Sequence, residues 1–170
     1  MKIARSGQLK KSLQGTLDIM EQQDARLIRS ITLPNDTQTI PQLAEFVDGV
    51  CEELDLDMGT AMQLNLALEE AVVNVMDYAY PAGTRGDILI EAQANDVRLK
   101  FTIIDKGFPF DPTAKEDADV TLSAEERPIG GLGIYLVRQI MDSIDYERVD
   151  DQNVLTLCKQ LKSIAAGEES

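Results

Sequence analysis

The segment from Leu64 to Tyr80 limits what this chain can become more than any other. Leu64, Leu68, Ala71, Val72 and Val75 recur at the spacing of one helical face, and Leu66, Val73 and Met76 extend that face sideways. A helix apolar over most of its circumference belongs inside a protein. Yet a thin polar stripe, Gln63, Glu70, Asn74 and Asp77, runs along it. Glu70 and Asn74 stand one turn apart, so their side chains lie side by side. Burying a carboxylate beside an amide is costly unless both find partners. The stripe is therefore either the solvent face of an amphipathic helix or the wall of a polar pocket, and the rest of the chain has to decide.

The chain has 170 residues, 44% of them hydrophobic, enough for one compact domain with a sizeable core. No apolar run approaches the roughly 20 residues that span a bilayer. Lys2, Arg5, Lys10 and Lys11 are not followed by the apolar stretch of a secretory signal. No membrane contact and a cytoplasmic location are the expectation. Thirty acidic against sixteen basic residues leave a net charge of -14, which repels nucleic acid phosphates. An anionic small ligand can still bind where backbone N–H groups and a metal ion supply a local positive field. Cys51 and Cys158 fit neither a metal motif nor a disulfide framework and read as core thiols. Histidine is absent. That excludes Ser-His-Asp and Cys-His catalysis, histidine-ligated zinc and a phosphohistidine relay within the chain, and leaves a carboxylate as the agent of proton transfer.

Along the chain, residues 1–25 read as an arm, mobile or loosely docked, in which Leu9, Leu13, Leu17 and Met20 could form a short helix. The main domain is expected over residues 26–161, with 162–170 as a flexible tail. Arg29 to Leu33 alternates like a strand, and Leu43, Phe46, Val47, Val50 and Leu54 follow helical spacing after Pro41. Asp57 is placed to cap the central helix, and Pro81 to Gly86 stops it. Strands at Asp87–Ala94 and Val97–Ile104 meet at Asn95-Asp96. The stretch from Lys106 to Pro128 has no sustained period and is long for a loop, as lids are. A helix begins at Gly131, and a hairpin pairs Ile144–Val149 with Val154–Leu161. Strands joined to their neighbours by tight turns, alternating with helices, predict an α+β two-layer sandwich: a mixed, mostly antiparallel sheet covered on one face by helices.

Two more stretches carry chemistry. Asp105-Lys106-Gly107-Phe108-Pro109-Phe110-Asp111 begins where a strand ends. The strand aims the Asp105 carboxylate, which can accept a hydrogen bond from an exocyclic amine such as that of adenine, while Gly107 lets backbone approach something flat. A plain turn would use the same residue types. The other stretch, Arg127-Pro128-Ile129-Gly130-Gly131-Leu132-Gly133, opens straight into a helix, whose free N–H groups make an anion site. It lacks the Gly-Lys-Ser/Thr of a P-loop and follows no strand as a Rossmann turn would.

In this order, with a lid-length loop between the last two, the three stretches resemble the N, G1 and G2 boxes of the GHKL (Bergerat-fold) ATPases. Among those, the chain is most similar to bacterial anti-sigma-factor serine kinases. The resemblance implies a Bergerat-type sandwich with an ATP lid over Lys106–Pro128, and ATP and Mg²⁺ as cofactors. It makes Glu70 the general base and Asn74 the Mg²⁺ ligand, through a hard side-chain oxygen. It assigns Asp105 to the adenine amino group, with Gly107 beneath the ring. The backbone of Gly130, Gly131, Leu132 and Gly133 would meet the phosphates, and Arg127, by its charge and place alone, is a candidate for steadying the γ-phosphate. Tyr78 departs from the family, which often has histidine there. The implied function is an ATP-dependent protein serine kinase and anti-sigma factor in a partner-switching circuit. Its implied partners are a STAS-domain anti-anti-sigma protein as substrate, a sigma factor, and a second copy in a homodimer. The alternative is a nucleotide-binding switch that sequesters a protein without kinase activity. Glu70 favours the kinase, because a pure binder needs no base.

Overall fold

A computed structural model describes residues 3–114 and 131–161, with backbone alone for residues 3–9 and 131–132. Eight of its elements form the two layers: strand β1 (Leu27–Pro34), helices α2 (Ile40–Glu53) and α3 (Met58–Tyr78), strands β2 (Asp87–Ala94) and β3 (Arg98–Asp105), helix α4 (Gly131–Ile140), and strands β4 (Ser143–Val149) and β5 (Gln152–Gln160). A further helix, α1 (Ile3–Gln23), precedes them. The strands lie in the order β1-β2-β3-β5-β4, and all the pairings are antiparallel. The sheet is thus uniformly antiparallel, because each strand's neighbour is reached by a hairpin or an antiparallel return.

Both hairpins use local chemistry. Asn95 closes the first, its Oδ1 accepting from the N–H groups of Val97 at 3.0 Å and Arg98 at 2.8 Å. At the second, Asp150 and Asp151 both take the left-handed conformation, with φ of 49° and 61°. Successive left-handed residues match the twist of flanking strands.

Period-two alternation puts one face of the sheet against the helices. The row Ile31, Ile90, Ile103, Leu155 and Tyr146 crosses all five strands on that face. The next row toward the sheet's end reads Leu33, Ile88, Asp105, Asn153 and Arg148. Apolar side chains give way to polar ones halfway along this row. Asp105 and Asn153 are both buried, so the core ends there in a polar patch rather than in solvent. Helix α3 buries Leu64, Ala67, Leu68, Ala71, Val72, Val75 and Met76 in the core. Leu66 is 40% exposed, so the apolar girdle is narrower than its composition suggests. α2 buries Leu43, Val47, Val50 and Cys51 beside it. The Cys51 thiol is pushed up to about 11 by burial and by Asp48 nearby, as a core thiol should be. Cys158 is also buried, but beneath Arg98, whose Nη2 lies 2.9 Å from its Sγ.

The Leu13, Leu17 and Met20 periodicity does produce a helix, longer than the sequence suggests, but these side chains are more than half exposed. α1 touches the sheet through polar contacts instead: Glu21 pairs with Arg98 at 3.0 Å and Lys100 at 2.9 Å. At the head of α3, Asp57 caps the helix, accepting from the Thr60 N–H at 2.9 Å and its hydroxyl at 2.7 Å. Those hydrogen bonds lower the Asp57 pKa below its usual 3.8. A depressed carboxylate stabilises the fold above its unfolded pKa, and that contribution vanishes as pH falls through the folded value. Asp57→Ala is therefore expected to lower the thermal midpoint at pH 7 and to match the wild type once pH drops well below 3.8. Thermal melts of both proteins across that range check it.

Candidate functional site

The first half of the site is built by α3 and the start of α4. Glu70 and Asn74, both partly buried, point at Gly133 in the first turn of α4. A Cβ placed on Gly133 would stand 2.6 Å from Glu70 Oε2 and 3.5 Å from Asn74 Nδ2. A side chain at position 133 would displace the Glu70 carboxylate from the place it occupies here. The polar stripe is therefore not a solvent face along its whole length. Gln63 and Asp77 are exposed, whereas Glu70 and Asn74 turn toward a helix N-terminus. Gly131 and Leu132, with Gly133, open α4, and the first N–H groups of a helix have no carbonyl partner within the helix.

The second half lies at the end of β3. Asp105 Oδ1 accepts from the Gly107 N–H at 2.8 Å and from Asn153 Nδ2 at 2.9 Å. Its other oxygen, Oδ2, is buried and has no hydrogen-bond partner among the described residues. A buried orphan acceptor is costly unless a donor arrives. Burial pushes the Asp105 carboxyl above the ordinary carboxylate value, while Asn153, Gly107 and the charge of Arg148 pull against that rise. Gly107 is pressed onto the end of α3: its Cβ would meet the Ala79 carbonyl oxygen at 2.4 Å. The Phe108 N–H donates to that same oxygen at 2.7 Å, stitching the box to the helix.

A cavity of about 680 Å³ opens beside this box, bordered by Asp105, Gly107, Ala79, Tyr80 and Arg148. It runs toward Thr32, Leu89 and Ile104 on the far face of the sheet, and none of Glu70, Asn74 and Gly133 borders it. Past the box, Phe110 stacks on Tyr78 with ring centroids 5.1 Å apart. Arg138 of α4 donates to the Thr113 carbonyl at 2.8 Å. These contacts anchor the first part of the expected lid. Residues 115–130, which include the rest of that lid with Arg127 and Gly130, lie outside the described residues.

Of the residues expected from sequence, Glu70, Asn74 and Gly133 come together, and Asp105 and Gly107 form a second cluster on the same side of the sheet. Sequence reasoning missed Asn153, Tyr146 and Arg148. Their signal was strand parity: Asn153 precedes Leu155 and Leu157 at spacing two, which puts it on the inward face. The groups present suit a purine nucleotide: an orphan carboxylate oxygen for an amine, and a glycine-opened helix start for phosphates. An amide oxygen beside a carboxylate is a hard donor set that suits Mg²⁺. Among the described residues, no helix is long and apolar enough to cross a membrane.

Comparison with known proteins agrees with this arrangement. Residues 33–159 match the family described as histidine kinase-like ATPase domain. The serine-protein kinase RsbW of Halalkalibacterium halodurans is 27% identical over 135 residues, 73% of this chain and 82% of that protein. The serine/threonine-protein kinase BtrW of Bordetella bronchiseptica is 30% identical across 55% of this chain and 66% of its own length. The crystal structure of the RsbU and RsbW domains of a Mycobacterium tuberculosis protein superposes with a TM-score of 0.56 at 14% identity. That match covers 81% of this chain but only 34% of the other, and it shows the shared fold. With helices packed on one face of an antiparallel sheet and the family match running over residues 33–159, from the end of β1 into β5, the chain belongs to the histidine kinase-like ATPase domain family.

Proposed function

We propose that this protein is an ATP-dependent protein serine kinase and anti-sigma factor, acting on a STAS-domain antagonist in a partner-switching circuit. The observation that carries the reading is the meeting of Glu70 and Asn74 with Gly133 at the head of α4. A nucleotide-binding helix start needs no carboxylate beside it, and a negative charge there opposes phosphate binding. A base that must take the proton of an attacking hydroxyl belongs there.

Bound Mg·ATP would supply the transferable phosphoryl group and the divalent charge that neutralises it. In this reading Asp105 Oδ2 accepts from the adenine amino group, and the Asn74 side-chain oxygen ligates the metal. The N–H groups of Gly131, Leu132 and Gly133 face the phosphates. The serine Oγ of the partner forms the new bond to phosphorus as ADP leaves, and Glu70 holds the displaced proton. Serine kinases among the similar proteins, RsbW and BtrW, support the transfer chemistry. The sigma factor as a second partner, the homodimer and the role of Gly130 rest on the family resemblance alone, the role of Arg127 on its charge and place, and the cytoplasmic location on the sequence expectation.

Calorimetry with and without Mg²⁺ tests the assignment. Asn74→Ala is expected to weaken Mg·ATP binding about 10-fold or more, the loss of one charge-assisted contact, and to bind ATP in EDTA like the wild type. Wild-type affinity that ignores Mg²⁺ would remove Asn74 from the metal. Tight binding without transfer to any STAS protein would replace the kinase by a nucleotide-gated binding switch.

A further inference from the structure

We propose that Asn153, on β5, is the positioning residue that sets the base preference of the nucleotide site by holding Asp105 with one carboxylate oxygen turned to the ligand. The proposal rests on the nucleotide reading above and adds a residue to it from another strand. Asn153 is buried and fully engaged. Its Nδ2 donates to Asp105 Oδ1 at 2.9 Å and to the Phe108 carbonyl at 2.8 Å. Its Oδ1 accepts from the Phe110 N–H at 3.2 Å and the Tyr146 hydroxyl at 2.6 Å. The orientation of an amide group is fixed by partners of unambiguous polarity. A backbone carbonyl can only accept and a backbone N–H can only donate. Phe108 and Phe110 therefore turn the Asn153 nitrogen toward Asp105 and its oxygen away.

That orientation has a chemical consequence. Oδ1 of Asp105 is occupied by two donors, Asn153 and the Gly107 N–H, so Oδ2 alone is left to meet a ligand. A charged carboxylate oxygen accepts the exocyclic amine of adenine and repels the O6 carbonyl of guanine. Without the Asn153 donor, burial acts on Asp105 with less opposition and the protonated form gains. A protonated carboxyl can donate to guanine O6. Loss of Asn153 should therefore flatten the preference for adenine rather than merely weaken all binding. Asn153 also pins the backbone of Phe108 and Phe110, so the base contact and the first anchor of the expected lid share one side chain.

The test measures ADP and GDP affinities by calorimetry, with thermal melts alongside, for the wild type, Asn153→Ala, Tyr146→Phe and Leu157→Ala. Asn153→Ala should cut the preference for ADP over GDP about 10-fold, and Tyr146→Phe, which only frees the far end of the amide, about 2- to 5-fold. Leu157→Ala, a buried change on the same strand, should lower the melting temperature and keep the preference. An unchanged ADP/GDP ratio in both Asn153→Ala and Tyr146→Phe overturns the Asn153 assignment and leaves the nucleotide site standing. Should Asn153→Ala fail to fold, an unchanged ratio in Tyr146→Phe overturns it alone. A wild type that binds neither nucleotide overturns the site and this inference together.

Discussion

Glu70→Gln is expected to keep Mg·ATP affinity within about threefold of the wild type while lowering phosphate transfer about 100-fold or more. The substitution preserves shape where Oε2 lies close beneath Gly133, so the contact between α3 and α4 survives. It removes the one property the proposed chemistry requires, an oxygen that can take a proton. General bases contribute about 10²–10⁴-fold, which sets the size of the loss. Removing a negative charge near the phosphates would, if anything, favour binding. The two readouts should thus separate, and their separation distinguishes a base from a structural carboxylate. Single-turnover transfer to a STAS-domain partner, with binding measured in parallel, is the measurement. Transfer at the wild-type rate by Glu70→Gln would remove Glu70 from the chemistry.

Gly107→Ala should lower stability and nucleotide affinity together. A Cβ at position 107 would lie 2.4 Å from the Ala79 carbonyl oxygen, 2.8 Å from its Cβ and 2.9 Å from its carbonyl carbon. These are backbone and near-backbone atoms at the end of α3, held in place by the Phe108 N–H. No flexible side chain can swing aside, so the strand end or the helix end has to shift. Overpacking of this kind costs about 1–3 kcal/mol. Any shift of the box also moves Asp105, so nucleotide affinity should fall about 10-fold or more in the same variant. Gly49→Ala is the matched control: it lies within α2, and nothing stands within 4 Å of its Cβ. There alanine should stabilise by about 0.4–1 kcal/mol through the unfolded chain and the helix preference. Chemical denaturation of both variants decides the comparison. Equal stability for Gly107→Ala and the wild type would mean the close approach is adjustable.

The parts of this molecule that were legible in the sequence are those governed by local periodicity. α3 announces itself through Leu64, Leu68, Ala71 and Val75, and β3 through the alternation of Leu99, Phe101 and Ile103. Asp57 and Asn95 act through bonds to residues two or three positions away, which spacing alone reveals. Glu70 and Asn74 could be paired from the helical repeat, yet their burial could not. It depends on Gly133, which is 63 residues from Glu70 in sequence and meets it only in the fold. Asn153 is the clearest omission. It follows a turn, and only the register of β5 against β3 places it opposite Asp105. The exposed Leu13 and Leu17 on α1 err the other way: their spacing describes a helix, and spacing is silent about whether anything covers it.

The pairing of β3 with β5 has a consequence for the newly made chain. Asp105 and Asn153 are separated by 48 positions, and the strand carrying Asn153 is the last of the sheet to leave the ribosome. Until β5 slots between β3 and β4, Asp105 lacks its amide and its row of the sheet is open. The pairing of Asp105 with its amide is therefore tied to the final long-range step of assembly, and contacts of such separation form slowly. A nascent or truncated chain without β5 would carry Glu70, Asn74 and the glycines and still lack the amide that holds Asp105.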